Sequence, residues 1–288
     1  MPERATITQV VQIGVESTPG TQVAATKRLL ATTIEPSIQA DIATFRPMGG
    51  KFVTMAALGK EWVKAKISGR LVYTDIVYLL ASALRYQAPT QITPPSGVAY
   101  RWVFEPQQSA EDPIKTYTVE FGSAVRAARF VYGLVTEVGF SIDREKAETS
   151  GSMLGRALQD GIALTANPSD VPLVPVLPTQ VDVFLDNTAA ALGTTKLARV
   201  ASVEFSLSDR FGPVWTLDSA VSGFAAHVET ELKCTLKLLV QADAQGMALL
   251  PAMRNGDKRF VRLRTTGPII EGSTPYLFQV DMCGVVSD

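Results

Sequence analysis

The sequence predicts a mainly β protein made of two similar modules in tandem. Short segments alternate apolar and polar residues, which is the period of a half-buried strand, and Gly, Pro, Asn and Asp separate them. The order of these segments in the first half recurs in the second half. A proline-dense segment lies between the halves. We therefore predict a first module over 1–165, a linker over 166–178 and a second module over 179–288.

The elements follow in order along the chain. One helix is predicted over 76–84, because apolar residues recur there at helical spacing after Thr74 and Asp75, either of which can cap it. A second helix is predicted over 243–253, and Pro251 should keep it short or kinked. The predicted strands are 8–16, 32–43, 62–73, 117–121, 130–143, 181–185, 200–208, 226–240, 259–265 and 276–285.

The internal repeat is carried by short matches that keep their order. Their offset stays between 171 residues, for Val10 and Val181, and 167 residues, for Lys66 and Lys233. The segment Ile34-Glu35-Pro36-Ser37-Ile38 matches Val203-Glu204-Phe205-Ser206-Leu207. Order and offset together favour a duplication, although any two β-rich segments share alternation.

Composition excludes several classes of protein. The chain has 288 residues, 46% apolar and 19% charged, with 27 basic and 28 acidic residues, so it can form a core and carries no basic excess for gripping phosphates. Two cysteines and one histidine are too few for a disulfide scaffold or a zinc site built from them. No apolar run is long enough to span a membrane, and no signal peptide is recognisable. We expect no cofactor, no membrane association and no enzyme activity.

The polar faces of four predicted strands carry acids without lysine or arginine. Residues two apart in a strand share a face, which assigns these candidates to wet faces: Glu35, Asp41, Glu137, Asp143, Glu204 and Asp281. Such faces would repel polyanions, unless basic strands lie beside them or they are ordinary solvated surfaces. Lysine and arginine share one face in two other segments, at Lys64, Lys66 and Arg70, and at Lys233 and Lys237.

The segment 43–61 is too apolar to be a solvent-exposed loop without a packing partner. It carries Phe45, Met48, Phe52, Met55 and Leu58. Exposed apolar patches usually mark interfaces, so we predict that this segment packs on a neighbouring subunit. The alternative is a long loop that covers its own core.

Catalytic motifs are missing. Gly49-Gly50-Lys51 lacks the leading glycine and the hydroxyl of a phosphate loop. His227 and Glu229 share a strand face, but without a third ligand we predict a surface pair. Glu137 and Asp143 imitate a glycosidase pair, yet the sequence gives no sign of a cleft.

Several motifs of the first 85 residues resemble the tail tube proteins of long-tailed bacteriophages. The resemblance is specific over about residues 7–85 and looser afterwards. It is carried by Ile13-Gly14-Val15-Glu16-Ser17-Thr18-Pro19-Gly20-Thr21, Ala24-Ala25-Thr26-Lys27, Thr33-Ile34-Glu35-Pro36, Phe45-Arg46-Pro47, Ser68-Gly69-Arg70-Leu71 and Tyr73-Thr74-Asp75.

The resemblance implies a fold and an assembly. Each module would be a β-sandwich or barrel with one flanking helix, and it would give strands to a ring-shaped inner β-barrel. Two-module chains would form homotrimeric rings, with a homohexamer as the alternative, and rings would stack into a tube. The expected partners are the tape measure protein in the lumen, the tail terminator and the tail-tip proteins. The expected location is the virion tail, assembled in the host cytoplasm.

The charge balance is compatible with this function. A basic lumen would hold DNA by counterion release, whereas an acidic or neutral lumen lets it pass. On this interpretation the six acids above are candidate lumen residues. Two other functions stay open: a β-sandwich adhesin or baseplate module that binds a host surface through aromatic loops near Tyr100 and Trp102, and a carbohydrate hydrolase that uses a carboxylate pair.

Overall fold

The computed structural model of the chain describes residues 8–218, 223–241, 247 and 249–287. It confirms a mainly β protein with several sheets, and each half carries one helix among the described residues. The strands are β1 (Val10–Val15), β2 (Lys27–Leu29), β3 (Thr32–Phe45), β4 (Met55–Arg70), β5 (Thr90–Gln91), β6 (Tyr100–Arg101), β7 (Tyr117–Gly122), β8 (Ala127–Ile142), β9 (Ala147–Gly155), β10 (Gln159–Ile162), β11 (Ser169–Asp170), β12 (Val181–Asp186), β13 (Val200–Ser208), β14 (Phe211–Val214), β15 (Ala226–Glu229), β16 (Lys233–Val240), β17 (Lys258–Glu271) and β18 (Thr274–Val285), and the helices are α1 (Ile76–Ala83) and α2 (Leu249–Asn255).

The largest sheet is organised around β8, which has 16 residues. The N-terminal part of β8 pairs with β7 and β10, and its C-terminal part pairs with β9 on one edge and β13 on the other. The order through the first half is β11-β2-β1-β7-β8-β9-β4-β3. A separate antiparallel sheet, β12-β17-β18, lies in the second half.

The two halves share one ladder and one core. Strand β13 of the second half pairs with β8 of the first, with Phe205 opposite Phe140 and their rings stacked 4.9 Å apart. Phe278 on β18 meets Phe140 edge to face. The main buried cluster takes side chains from both halves, among them Ile13, Ile67, Leu79, Phe140, Val203 and Leu263. The division into two modules therefore stays a prediction about ancestry and symmetry.

The proline-dense segment 166–178 runs along the first half. Strand β11 within it pairs with β2 in parallel, and Val176 N donates to Leu71 O at 2.9 Å. Val171 and Val176 are both buried. The absence of regular helix there agrees with the proline content, while its backbone hydrogen bonds are made to neighbouring strands.

Helix α1 confirms the predicted position, but the predicted cap is wrong. Asp75 makes no side-chain bond to the helix N-terminus. Its buried carboxylate accepts hydrogen bonds from Ala31 N at 3.1 Å and Thr32 Oγ1 at 3.0 Å, and burial raises its pKa. Thr74 donates to the Pro172 carbonyl instead. Asp75 therefore ties the helix start to the beginning of β3, and Thr74 ties it to the proline-dense segment.

The second helix is described over Leu249–Asn255, and residue 247 is also helical. The expectation that Pro251 keeps this helix short or kinked stays a prediction. The earlier part of the predicted helix, 243–246 and residue 248, lies outside the described residues.

Candidate functional site

A continuous polar face crosses six strands in the order β3-β4-β9-β8-β13-β16. The ladders bring polar side chains to one side and alternate apolar side chains, such as Ile34, Phe140 and Val203, to the buried side. Across the strands, Glu35 is opposite Lys66, Lys66 is opposite Ser152, Ser152 donates to Glu137, and Glu204 is opposite both Ser141 and Lys237. We call this surface the polar sheet face.

Three of the six candidate acids lie on the polar sheet face: Glu35, Glu137 and Glu204. Asp41 lies at a bulge in β3, between the Ala40 and Ile42 pairs, so simple parity does not apply to it. Asp143 is in the β8–β9 turn, where backbone N–H groups of Lys146 and Glu145 bond to its carboxylate and lower its pKa. Because a bulge and a turn interrupt the alternation, parity does not fix the face of these two residues, and their assignment stays a prediction.

The sixth acid, Asp281, belongs to a different sheet. It lies on β18 and forms a two-point ion pair with Arg262 of β17, at 2.7 Å and 2.8 Å. The side chain of Asp281 is 38% exposed and that of Arg262 is 25% exposed. Its charge is therefore neutralised at the position where the acidic face was expected.

Lysines balance the acids on the polar sheet face. Strand β4 sets Lys66 opposite Glu35, and β16 sets Lys237 opposite Glu204. Arg70 is opposite Glu148 on the β4–β9 ladder. Opposite charges at facing positions attract. The polar sheet face therefore carries both signs of charge, which is the alternative expected if basic strands lie beside acidic ones.

A shallow pocket of about 400 Å³ lies in the middle of this face. Its lining includes Gly139 and Gly151 and combines Lys66, Glu137 and Glu204 with the hydroxyls of Ser141, Ser150 and Ser206. These groups can exchange hydrogen bonds with water or a passing polymer, and the carboxylates outnumber the ammonium group by one. Among the described residues, no group of three or more His, Cys, Asp or Glu side chains could hold a metal ion.

The polar sheet face ends at β3 on one side and at β16 on the other, and the second sheet has an unpaired edge of its own. Within the described residues, the 14-residue strand β3 has a ladder partner only in β4, and β16 has one only in β13. In the separate β12-β17-β18 sheet, the described residues 266–271 of β17 face only β18, while residues 260–265 also pair with β12. Unpaired edges of this length are templates for pairing with another chain.

The far ends of β3 and β4 and the turn between them form an exposed hairpin, which we call the arm (residues 41–60). All its residues except Gly50 are exposed. The apolar side chains predicted as an interface lie on it, with exposures of 52% for Phe45, 105% for Met48, 78% for Phe52, 64% for Met55 and 60% for Leu58. The alternative, a loop covering its own core, is wrong for this chain.

The segment that joins β13 to β16 is also built on a hairpin, β14–β15, but it folds back over the first half. We call it the folded-back hairpin (residues 209–218 and 223–232). Phe211 and Phe224 on it are buried with Tyr132 and Leu134 of β8. Trp215 meets Trp62 of β4 edge to face at 5.6 Å. Arg156 donates to the carbonyl oxygens of Phe224 and Ala225, both at 2.9 Å.

A buried ion cluster fixes the base of the folded-back hairpin. Arg210 pairs with Asp112, and their side chains are 5% and 1% exposed. Arg210 also donates to Glu229 at 3.2 Å and to the Ala83 carbonyl at the end of α1. The Asp112 N–H donates to Glu229 at 2.7 Å. No local sequence pattern indicates this cluster, because Arg210 and Asp112 lie 98 residues apart in the chain.

His227 and Glu229 are not the surface pair that the sequence predicts. His227 Nδ1 lies 3.0 Å from Tyr132 Oη, and Glu229 bonds to Arg210 and Asp112. Burial is the main cause of a lowered pKa at His227. Both residues therefore hold the folded-back hairpin to the first half.

Comparison with known proteins adds no name. Neither a family model nor a curated protein matches this chain. None of the described helices is both long enough and apolar enough to cross a membrane.

Proposed function

We propose that the chain is a structural virion protein, a subunit of a bacteriophage tail tube whose rings stack around a channel for DNA. The observation that carries the proposal is the β8–β13 ladder, which joins the two halves into one sheet whose end strand β3 has no second ladder partner in the described part of the chain. A sheet that continues from half to half and ends in free edges can continue from chain to chain. Such a head-to-tail contact closes into a ring when the rotation allows it.

Pairing registers support the proposed duplication. In β3–β4, Ile34 is opposite Ile67 and Glu35 is opposite Lys66. In β13–β16, Val203 is opposite Leu238 and Glu204 is opposite Lys237. The same sequence of core and charged pairs therefore recurs, with Lys66 equivalent to Lys237 and not to Lys233 as the sequence match had it. Two equivalent modules in a chain would make a homotrimer a pseudo-sixfold ring, with a homohexamer as the alternative.

The polar sheet face is the proposed lumen surface. Glu35 and Glu204 are opposite lysines on neighbouring strands, and Glu137 is opposite Ser152, so a passing duplex would meet Lys66 and Lys237 as members of opposite-charge pairs. In this proposal DNA crosses the lumen without specific binding. The tape measure protein would occupy the lumen before ejection, and the tail terminator and tail-tip proteins would cap the tube in the virion tail, assembled in the host cytoplasm.

The arm is the proposed stacking contact between subunits or rings. Its exposed phenylalanine and methionine side chains form an apolar surface that a neighbouring copy would cover. Rings that meet through different surfaces at top and bottom add without limit, which gives a filament.

The deciding experiment is negative-stain electron microscopy of the purified chain at rising concentration, with class averages along any tube axis. We expect hollow tubes with a threefold modulation of a six-lobed ring. Solid fibres, or discrete particles at every concentration and also in the presence of tail-tip proteins, would contradict the tube.

A second candidate function is a binding module of an adhesin or baseplate. It is favoured by one observation, the exposure of Tyr100 (51%) and Trp102 (39%) beside Tyr86 and Phe104. This function requires a monomer or a closed oligomer that binds host cells, and that loses binding on Tyr100→Ala with Trp102→Ala. Tubes that form equally well from this double variant would favour the structural role.

A further inference from the structure

The β3–β4 ladder determines which backbone groups of β3 point to its unpaired edge. Ala31 O accepts a hydrogen bond from Arg70 N at 3.3 Å. Bonded and non-bonded pairs alternate along an antiparallel ladder, and the β3–β4 register is regular from Thr32 to Ala40. The odd-numbered residues therefore bond to β4, and the peptide groups of Ile34, Pro36 and Ile38 point to the free edge.

The corresponding edge of β13 is occupied by β8. Asp143 N donates to Lys146 O at 3.0 Å, so the same alternation turns the peptide groups of Phe140 and Ile142 away from β9 and toward β13. There Phe140 is opposite Phe205. Phe205 in β13 and Pro36 in β3 occupy equivalent positions. Each follows a glutamate that is opposite a lysine, Glu204 opposite Lys237 and Glu35 opposite Lys66. The Phe205 N–H faces β8 in the β8–β13 ladder, whereas Pro36, at the equivalent position of β3, has no N–H to donate.

The strand end that could fill the β3 edge is the last part of β17. Ile269 is opposite Pro275 on β18. Pro275 has no N–H, so this is a non-bonded pair and the Ile269 peptide group faces away from β18. Ile269 lies before the β17–β18 turn as Phe140 lies before the β8–β9 turn.

We propose, building on the proposed function, that the free edge of β3 pairs with residues 266–271 of a second copy, and that Pro36 weakens this pairing. Pro36 would be opposite Ile269, in the register of the β8–β13 ladder. The occupant is a second copy because the chain already contains this strand pairing between its own halves. Proline on an exposed edge is a known means of keeping it from pairing indiscriminately. Pro36 would keep free subunits apart until several contacts act together.

Disulfide trapping tests the register. Glu35 and Ile270 would form a non-bonded pair, whose Cβ atoms lie about 4.5–5.5 Å apart, within disulfide reach. The variant Glu35→Cys, Ile270→Cys, in a Cys234→Ser, Cys283→Ser background, should give cross-linked multimers on oxidation. The matched control, Glu35→Cys with Pro268→Cys in the same background, is two residues out of register and should stay monomeric on a non-reducing gel. Equal cross-linking of both, or of neither at high concentration, would overturn the proposed pairing.

The role of Pro36 is tested by Pro36→Thr, which restores the N–H. One added hydrogen bond per contact should lower the dissociation constant for self-association about two- to tenfold in sedimentation velocity. Pro172→Thr, in an exposed loop position, is the control and should leave association unchanged. An unchanged constant in Pro36→Thr would refute the weakening role.

Failure of this inference can be told apart from failure of the tube. Tubes that form without the Glu35–Ile270 cross-link would retain the tube and overturn the pairing. A cross-link that appears only in closed dimers would retain the pairing and overturn the tube.

Discussion

The arm and the folded-back hairpin hold the same place in the two halves, since each joins two neighbouring antiparallel strands. They differ in what covers them. Phe224 of the folded-back hairpin is completely buried, whereas Phe52 of the arm is 78% exposed. The folded-back hairpin lies on the first half of the same chain, whereas none of the described residues covers the apolar side chains of the arm. The folded-back hairpin of the second half is therefore part of the core, whereas the arm of the first half exposes its apolar side chains.

The difference has an energetic meaning. Burying a phenylalanine side chain contributes about 1.5–3 kcal/mol, and the folded-back hairpin gains this within the monomer. The arm leaves the same gain unused until another surface covers it. An apolar hairpin that no other described residue covers therefore indicates association.

The largest effect is expected from removing the arm tip. Replacing residues 46–54 with Asn-Gly keeps a tight turn between β3 and β4, so the monomer should fold with an unchanged urea midpoint. Assembly should be lost completely, as seen by electron microscopy and light scattering. Tubes of normal length from this variant would show that the arm is not the stacking contact.

The next effect compares the two phenylalanines directly. Phe224→Ala should destabilise the monomer by about 3–5 kcal/mol, because it removes a fully buried ring and leaves a cavity. Phe52→Ala should change the free energy of unfolding by less than about 0.5 kcal/mol. Urea unfolding of both variants is the measurement, and similar losses would mean that the arm is covered in the monomer.

A smaller effect is expected at the ion cluster. Asp112→Asn keeps the shape of the side chain but removes the buried charge beside Arg210, and should cost about 1–3 kcal/mol in urea unfolding. The control is Asp170→Asn, which breaks the exposed pair with Arg28 and should leave the midpoint unchanged. Equal behaviour of the two variants would mean that the cluster does not hold the folded-back hairpin.

The smallest effect is a pH dependence at His227. Its pKa in the folded chain is lowered from 6.5, chiefly by burial, so the unfolded chain takes up the proton at a higher pH. The stability it contributes is complete above about pH 6.5 and falls as the pH drops below that value. His227→Gln should therefore lose less stability than the natural chain between pH 7.5 and 5.5. Parallel losses in the two proteins would exclude His227 as the source.

Local pattern was sufficient for the fold class and for the strand faces. Alternation identified Ile34, Phe140 and Val203 as core positions, and all three are buried. It missed β9, whose sequence Ala-Glu-Thr-Ser-Gly-Ser-Met-Leu-Gly has almost no apolar alternation. Strand β9 forms because its backbone pairs with β4 on one side and β8 on the other, and the local sequence of β9 does not reveal these partners.

Neighbours within a few residues of the chain are enough to specify the β class, the position of α1, the charge balance and the apolar character of the arm. Other features exist only once the sheets have assembled: lysine strands lie beside acidic ones, Asp75 joins the start of α1 to the start of β3, and one hairpin is covered while the other is exposed. The physical reason is distance along the chain. Arg210 and Asp112 are 98 residues apart, and Arg156 and Phe224 are 68 apart, so nothing in either segment specifies its partner before the sheets assemble.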